Sequence, residues 1–281
     1  MARTLIVTDS AADLDPEVAE RNDIKVVELD VRLGEIGPEV TRTWSPEQFW
    51  HECANKSVLP ETSAPSPGAF VSAYLEGLAD GHDGVVCITL SSKLSATYQA
   101  AAAGAAEVQD RIPVQVVDSQ SVTMGEGILA LSAAESARAG LGVSEIAAAA
   151  EEGAHDVRVY GSLDTLENLR KGGRIGNAQA IFGSLLAIKP VIEVRGGLIE
   201  AESRQRTRIR SLKYLAEKVK AAGALEQLAV VHGAAEDVDS LVDMLSGCFP
   251  REAIQLGHIG PVIGTHAGAG SIAVCFKVKR Q

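Results

Sequence analysis

Residues 84–98 read Gly84-Val-Val-Cys-Ile-Thr-Leu-Ser-Ser-Lys-Leu-Ser-Ala-Thr-Tyr98, and this stretch decides the fold. The short apolar run Val85–Leu90 ends abruptly in hydroxyl side chains, and an Ala-rich segment follows. This pattern predicts a strand, a polar loop and a helix over Thr97–Val108. Backbone N–H groups at a helix N-terminus, together with Ser side chains, suit a negatively charged group. The stretch therefore predicts an anion-binding loop at the end of a strand.

The composition limits the class of protein. The chain has 281 residues, of which 46% are hydrophobic and 4% aromatic, so we expect two domains with largely aliphatic cores. Its formal net charge of -11 argues against nucleic-acid binding, because that function needs a basic face to neutralise phosphates.

Targeting, membrane and metal signals are missing from the sequence. No run of about 18 apolar residues occurs, which predicts no transmembrane helix, and the apolar run Leu5–Val7 is too short for a signal peptide. We therefore expect a cytoplasmic protein. The four cysteines are far apart and form no C-x-x-C pair, which predicts neither a disulfide framework nor a metal site.

Strands and helices alternate in the first half of the chain. Apolar runs at Thr4–Val7, Ile24–Leu29 and Val114–Val117 accompany the strand of the opening stretch, and helical segments separate them. Strands spaced by helices indicate a mostly parallel sheet that is covered on both faces. We therefore predict an N-terminal three-layer α/β/α domain over residues 1–156.

The pattern changes in the second half. A helix is expected over Ile181–Leu186, and two strand-like runs flank Gly196-Gly197, which is typical of a hairpin. Hairpins mixed with helices predict a C-terminal two-layer α/β domain with a mixed sheet over residues 157–281.

Two hydroxyl-rich segments are the first candidate sites. Thr62 lies in Glu61–Pro67, a segment between two predicted helices in which Ser66 is also a ready helix cap. The opening loop contains more serines than one cap requires, which favours ligand binding there. At the carboxyl end of a strand in an open α/β sheet, such a loop lies where ligands bind. Its candidate residues are Ser91, Ser92 and Ser95.

Two further segments combine glycines with potential cations. The Gly172-Gly173 pair after a helix is an ordinary C-cap, but Arg174 just beyond it can reach an anion. The glycine-rich stretch Gly260–Gly270 is expected to be a loop between strands. It contains the pair Thr265-His266, in which His266 can donate to a carboxylate or act as a base.

Taken together, these segments resemble the DegV family of bacterial fatty-acid-binding proteins. The resemblance runs nearly end to end and rests on the order and spacing of Val7–Ser10, Thr62–Ser66, Ser91–Tyr98, Val117–Ser119, Gly172–Ile175, Lys189-Pro190 and Pro261–Gly268. It implies two α/β domains with a long-chain fatty acid buried between them.

The resemblance also implies roles for single residues. Thr62 and Ser95 match the residues that bind the carboxylate in the family, and Arg174 and His266 match residues that line the same region. The family's glycine after that serine is Ala96 here, whose methyl group can narrow the approach to the carboxylate.

The resemblance also implies that binding and catalysis belong to two different proteins. Family members present the bound fatty acid to a separate fatty acid kinase, which phosphorylates the carboxylate. The resemblance therefore implies a binding protein without catalytic residues, not an enzyme, with a fatty acid as ligand and no cofactor.

Two other function classes stay open from the residues alone. Ser95 as nucleophile and His266 as base would make a Ser-dependent acyl-ester hydrolase. Gly125–Ala130 matches G-x-G-x-x-A by letter, which would suit a nucleotide-dependent enzyme, although no convincing strand precedes it.

A basic run stands out in this acidic chain. It covers residues 204–220 and falls on a predicted helix. A solvated helix face explains such a run, and so does a surface that docks an acidic or nucleotide-bearing partner, with Arg206 and Arg208 as the candidate docking residues.

Overall fold

The computed structural model describes residues 2–56, 58–181 and 188–280. Its strands are Thr4–Asp9 (β1), Ile24–Val27 (β2), Asp30–Arg32 (β3), Glu61–Ser63 (β4), Gly84–Thr89 (β5), Val114–Asp118 (β6), Val157–Ser162 (β7), Lys189–Arg195 (β8), Leu198–Gln205 (β9), Leu225–His232 (β10), Gln255–His258 (β11) and Ile272–Val278 (β12). Its helices are Pro16–Arg21 (α1), Pro38–Thr41 (α2), Pro46–Ala54 (α3), Pro67–Ala79 (α4), Thr97–Val108 (α5), Met124–Arg138 (α6), Val143–Ala154 (α7), Glu167–Lys171 (α8), Arg208–Ala221 (α9), Val238–Leu245 (α10) and Pro261–Ala267 (α11).

The first of two compact units contains Met1–Asp30 and Ser63–His155. Its sheet has the strand order β2-β1-β5-β6, and all of its neighbouring strands are parallel. Every residue of β1 and β5 is buried, which is the pattern of strands covered on both faces. Helices α4 and α5 pack on one face, while α6 packs on β1 and α7 on β5 and β6. The unit is the predicted three-layer α/β/α structure.

The second unit contains Val31–Thr62 and Asp156–Gln281. Its six-stranded sheet has the order β11-β10-β12-β7-β8-β9, in which β10 and β11 are parallel and the other pairs antiparallel. Helices α9 and α10 contribute to a core on this sheet through Leu212, Leu215 and Leu241. The predicted hairpin is confirmed as β8 and β9, which turn at two positive-φ glycines, Gly196 and Gly197.

The segment 31–62 groups with the second unit, whereas the sequence division placed it within residues 1–156. Its helix α3 buries Phe49 and Trp50, whose exposures are 0% and 7%. Atom Cζ2 of Trp50 would lie 2.5 Å from a Cβ atom at Gly233 and 2.7 Å from one at Gly264. Both glycines belong to the second unit, so the missing side chains there make room for the indole ring.

Some local predictions were wrong. Gly260–Gly270 is not a plain loop, because Pro261 begins the helix α11 after an extended Gly260. The segment Glu61–Pro67 begins with the short strand β4, which pairs with β3. The helix expected over Ile181–Leu186 lies almost entirely outside the described residues.

Candidate anion-binding sites

A hydroxyl and an imidazole from distant parts of the chain meet in the second unit. Thr62 lies in β4 and His266 in α11, and their atoms Oγ1 and Nε2 are 2.9 Å apart. The amide Nδ2 of Asn168 donates to the carbonyl oxygen of Thr265 at 3.3 Å, which ties α8 to α11. Two of the residues predicted to contact a carboxylate are therefore hydrogen-bonded to each other.

His266 is a neutral side chain at physiological pH. Burial and the nearby positive charge of Arg174 lower its pKa to about 4. Its atom Nδ1 is buried and has no hydrogen-bond partner among the described residues. Because buried N–H groups without a partner are rarer than unpaired acceptors, the proton belongs on Nε2. That tautomer donates to Thr62 and leaves the Thr62 hydroxyl proton available for a ligand oxygen.

Helix α8 ends in the C-cap that the pair Gly172-Gly173 predicts, and this cap positions Arg174. The N–H of Gly173 donates to the Arg170 carbonyl at 3.1 Å, and the N–H of Arg174 donates to the Leu169 carbonyl at 2.9 Å. Gly173 has a φ of 71°, the left-handed conformation that this cap requires. The guanidinium then donates to the Gly172 carbonyl at 2.6 Å. The predicted C-cap is confirmed, and the contact of Arg174 with an anion stays a prediction.

Gly172 is needed for the space beside its backbone, whereas Gly173 is needed for its positive φ. Its backbone is helical, but a Cβ atom there would lie 2.5 Å from Nδ1 of His266. Side chains do not approach that closely, so only glycine leaves room for the imidazole in this position.

A cavity of about 600 Å³ contains these groups, and all of its lining residues belong to the second unit. Besides Thr62, Arg174 and His266, it is lined by Lys171 and by the partly exposed Val58 and Leu59, among others. Thr265 also lines it, but its hydroxyl donates to the Pro261 carbonyl at 2.8 Å within its own helix. Sequence reasoning missed Lys171 and Asn168, although the spacing i, i+3 on α8 would have placed them on one face.

The serine loop in the first unit is held by hydrogen bonds within the loop and by bonds to the end of β6. Ser91 is fully buried, and its hydroxyl accepts the N–H of Lys93 at 3.3 Å. The hydroxyl and N–H of Ser92 both donate to Asp118 at the end of β6. Ser95 is half-buried, with its hydroxyl 2.8 Å from that of Thr97. Ser95 therefore differs from Ser91 in being partly exposed and from Ser92 in having no bond to a carboxylate among the hydrogen bonds of the described residues.

Ala96 stands at the start of α5 and supplies no side-chain cap. It is exposed, and Ser95 accepts the N–H of Thr97 at 3.3 Å in its place. In the hydrolase alternative, Ser95 would be hydrogen-bonded to His266. Here Ser95 is hydrogen-bonded to Thr97, and His266 is hydrogen-bonded to Thr62.

The nucleotide-loop alternative is wrong. Gly125–Ala130 lies inside the first turns of α6, and all six residues are buried. The dinucleotide fingerprint needs its glycines in an open turn between strand and helix, where backbone N–H groups face the phosphates. Here a Cβ atom at Gly127 would lie 2.9 Å from the Ala12 carbonyl oxygen, so this glycine serves packing.

The two candidate docking residues of the basic segment differ, because Arg208 is tied into an ion pair and Arg206 is exposed. Arg208 makes a two-point ion pair with Asp237, with distances of 2.8 and 2.9 Å. Arg206 is exposed, as are Arg210 and Lys213. The docking prediction is therefore best tested at Arg206 and not at Arg208.

The fold defines a class: an α/β protein of two compact units, each of which contains one of the candidate anion-binding sites. The chain belongs to the DegV family, whose family model, described as "Uncharacterised protein, DegV family", matches residues 3–279. It is 40% identical over 273 residues to a DegV domain-containing protein of Streptomyces coelicolor, covering 96% of each chain. The protein DegV of Bacillus subtilis is 34% identical over 281 residues, with 98% of this chain and 99% of DegV covered.

Solved structures show the same fold. A DegV family protein of Thermus thermophilus, reported for its fatty acid binding, is 31% identical, with a TM-score of 0.87 over 99% of this chain and 100% of the other. The structure of DegV from Bacillus subtilis, described as a fatty acid binding protein, is 32% identical, with a TM-score of 0.85 and the same coverage.

None of the helices in residues 2–56, 58–181 and 188–280 has the length and apolar character to cross a bilayer. Within the same ranges, no three His, Cys, Asp or Glu side chains are arranged to hold a metal ion.

Proposed function

We propose that this protein binds a long-chain fatty acid and presents its carboxylate to a separate kinase for acyl-phosphate formation. The observation that carries the proposal is the Thr62–His266 hydrogen bond, because a neutral imidazole that donates to Thr62 directs the threonine O–H toward a ligand oxygen. Fatty acid binding by structural neighbours with more than 30% identity supports the same ligand.

The polar contacts of the proposed complex follow from the family resemblance. Thr62 and Ser95 donate hydrogen bonds to the carboxylate, and Arg174 supplies positive charge near it. Burial of each CH₂ group stabilises the complex by about 0.8 kcal/mol, so a long acyl chain gains on the order of 10 kcal/mol before ordering costs. The acyl chain then supplies most of the affinity, and the polar groups select a carboxylate and fix its orientation.

The kinase half of the proposal rests on the family resemblance. The cavity beside Thr62 adds a compatible feature, since Lys171 and Arg174 both line it and suit the additional negative charge of an acyl phosphate. In this proposal the protein itself performs no catalytic step, and the phosphoryl chemistry belongs to the kinase.

Organic extraction of the purified protein followed by mass spectrometry tests the binding proposal. We expect close to one long-chain fatty acid per chain, or, after delipidation, saturable binding of added palmitate. A protein that contains no fatty acid and binds none when it is added would contradict the proposal.

Thr62→Val tests the role of the hydroxyl. Valine keeps the shape of threonine but cannot donate, so we expect palmitate affinity to fall by about 1.5–3 kcal/mol, the cost of losing a hydrogen bond to a charged group. Titration calorimetry measures this change. Thr265→Val is the matched control in the same cavity, because that hydroxyl donates within its own helix, and it should change affinity far less. Equal affinities for wild type and Thr62→Val would remove Thr62 from the site.

Arg206→Glu tests the docking surface. We expect it to slow acyl-phosphate formation by a cognate fatty acid kinase at low ionic strength and to leave palmitate affinity unchanged, because long-range charge attraction mainly accelerates association. Raising the salt concentration should reduce the difference between variant and wild type. Arg208→Ala serves as a comparison that loses the Asp237 ion pair and therefore lowers stability instead. A kinase rate that Arg206→Glu does not alter would place docking elsewhere.

A further inference from the structure

A threonine hydroxyl beside the serine loop is completely buried and has a single partner. Thr97 at the start of α5 is 0% exposed. Its Oγ1 lies 2.8 Å from Oγ of Ser95, and among the hydrogen bonds of the described residues this is the only one that its side chain makes. A buried O–H group without an acceptor costs the full free energy of its desolvation. The Thr97 hydroxyl therefore donates to Ser95.

This direction of donation fills the acceptor capacity of Ser95. A serine hydroxyl has two lone pairs and one proton. Oγ of Ser95 accepts the backbone N–H of Thr97 at 3.3 Å as well as the Thr97 hydroxyl, so both lone pairs are occupied. The hydroxyl proton is the hydrogen-bonding group that remains, and the side chain is only partly buried. Ser95 can thus donate to a ligand but has no lone pair left to accept from one.

The backbone of Ser95 is fixed as well. Its N–H donates to the Ser91 carbonyl at 3.2 Å, and that carbonyl shares one planar peptide group with the N–H of Ser92. The N–H of Ser92 donates to Oδ1 of Asp118 at 3.2 Å. A carboxylate at the end of β6 therefore holds the peptide group to which the Ser95 backbone is bonded. The position from which Ser95 donates is set before a ligand arrives, which lowers the ordering cost of binding.

We propose that Thr97 is a positioning residue that determines head-group specificity: by occupying both lone pairs of Ser95, it makes that serine a donor to an ionised carboxylate and denies an alcohol an acceptor. This inference rests on the proposed function, because it concerns the fatty acid carboxylate that Ser95 binds. An ionised carboxylate only accepts hydrogen bonds, whereas an alcohol also has a proton that needs an acceptor. A buried proton left without one is the means by which polar sites reject the wrong head group.

The experiment compares palmitate with 1-hexadecanol, which has the same acyl chain length, in the full-length protein. Thr97→Val keeps the shape of threonine and its backbone N–H but removes the hydroxyl. We expect it to reduce the ratio of palmitate affinity to hexadecanol affinity by about three- to tenfold, the effect of one hydrogen bond. Palmitate loses a serine held as a donor, and hexadecanol gains a free lone pair on Ser95. Competition against a fluorescent fatty acid measures both affinities.

Thr97→Ser is the conservative variant that should restore specificity. It keeps the hydroxyl and loses only the methyl group, so its affinity ratio should match that of wild type. Thr97→Val in a Ser95→Ala background should leave the ratio of the Ser95→Ala protein as it is, because the effect needs the serine. If the role of Thr97 were only structural, Thr97→Val would weaken the binding of both ligands together. The ratio would then keep its wild-type value, and that result would overturn the inference.

A second variant keeps the test decisive if Thr97→Val does not fold. Thr97→Ala also lacks the hydroxyl and adds no branched side chain, so the same fall in the ratio is expected, and a wild-type ratio would contradict the role of Thr97. Failure of the proposed function gives a different result, since wild type itself would then not bind palmitate, and the inference would fall with it. Failure of the inference alone leaves wild type with palmitate binding and the hydroxyl-free variants with an unchanged ratio.

Discussion

Gly172→Ala is expected to lower palmitate affinity by about tenfold to a hundredfold and to destabilise the second unit by about 1–3 kcal/mol, the usual range for an overpacked site. The added methyl group would lie 2.5 Å from Nδ1 of His266, so the imidazole must move. Once it moves, Nε2 no longer orients the Thr62 hydroxyl, and the proposed donor to the carboxylate is lost. Titration calorimetry and denaturant unfolding measure the two effects.

The neighbouring glycine provides the control for this prediction. Gly173 needs its positive φ, but nothing lies within 4 Å of a Cβ atom there. Gly173→Asn keeps a residue that tolerates the left-handed conformation, so its palmitate affinity should stay close to that of wild type. If Gly172→Ala bound palmitate as well as Gly173→Asn does, the imidazole would have no part in carboxylate recognition.

Trp50→Ala should reduce the free energy of unfolding by about 3–5 kcal/mol, as expected for removal of a buried aromatic side chain. The indole ring fills the space that Gly233 and Gly264 leave open and packs edge-on against Phe49, with ring centroids 5.0 Å apart. Because Trp50 belongs to the segment that delivers Thr62, palmitate affinity should fall together with stability.

Gln48→Ala is the matched control for Trp50→Ala. Gln48 lies on the same helix, α3, with an exposed side chain, and its backbone N–H keeps its bond to Ser45 in the variant. We expect a change within about 0.5 kcal/mol, typical of surface substitutions. A Trp50→Ala protein as stable as Gln48→Ala would show that segment 31–62 does not depend on this contact.

The sequence was sufficient for features that depend on short-range patterns. The run from Gly84 to Tyr98 predicted β5 and α5 correctly, because an apolar run, a polar break and an Ala-rich segment each have a strong local preference. Asp9 and Asp118 were interpreted as turn caps, and they do accept backbone N–H groups two residues onward.

Features that depend on long-range packing were missed. The Thr62–His266 bond joins residues 204 positions apart, which no local pattern encodes. The stretch Gly260–Gly270 was predicted to be a loop because glycine weakens helix propensity. Within the helix α11, the single glycine Gly264 allows the close approach of Trp50. The complete burial of Asp9 and Glu126 was also not predicted, since an acidic residue near the end of a strand or the start of a helix is usually exposed.

The discontinuous second unit has a consequence for synthesis on the ribosome. Its first segment, 31–62, is made long before residues 156–281, with which it packs. At roughly 5–20 residues per second, the delay between residue 62 and the end of the chain is on the order of 10–40 s. During that time Phe49 and Trp50 have no partner strands or glycines to cover them. Phe49 and Trp50 therefore lack their packing partners even after the first unit has been made in full.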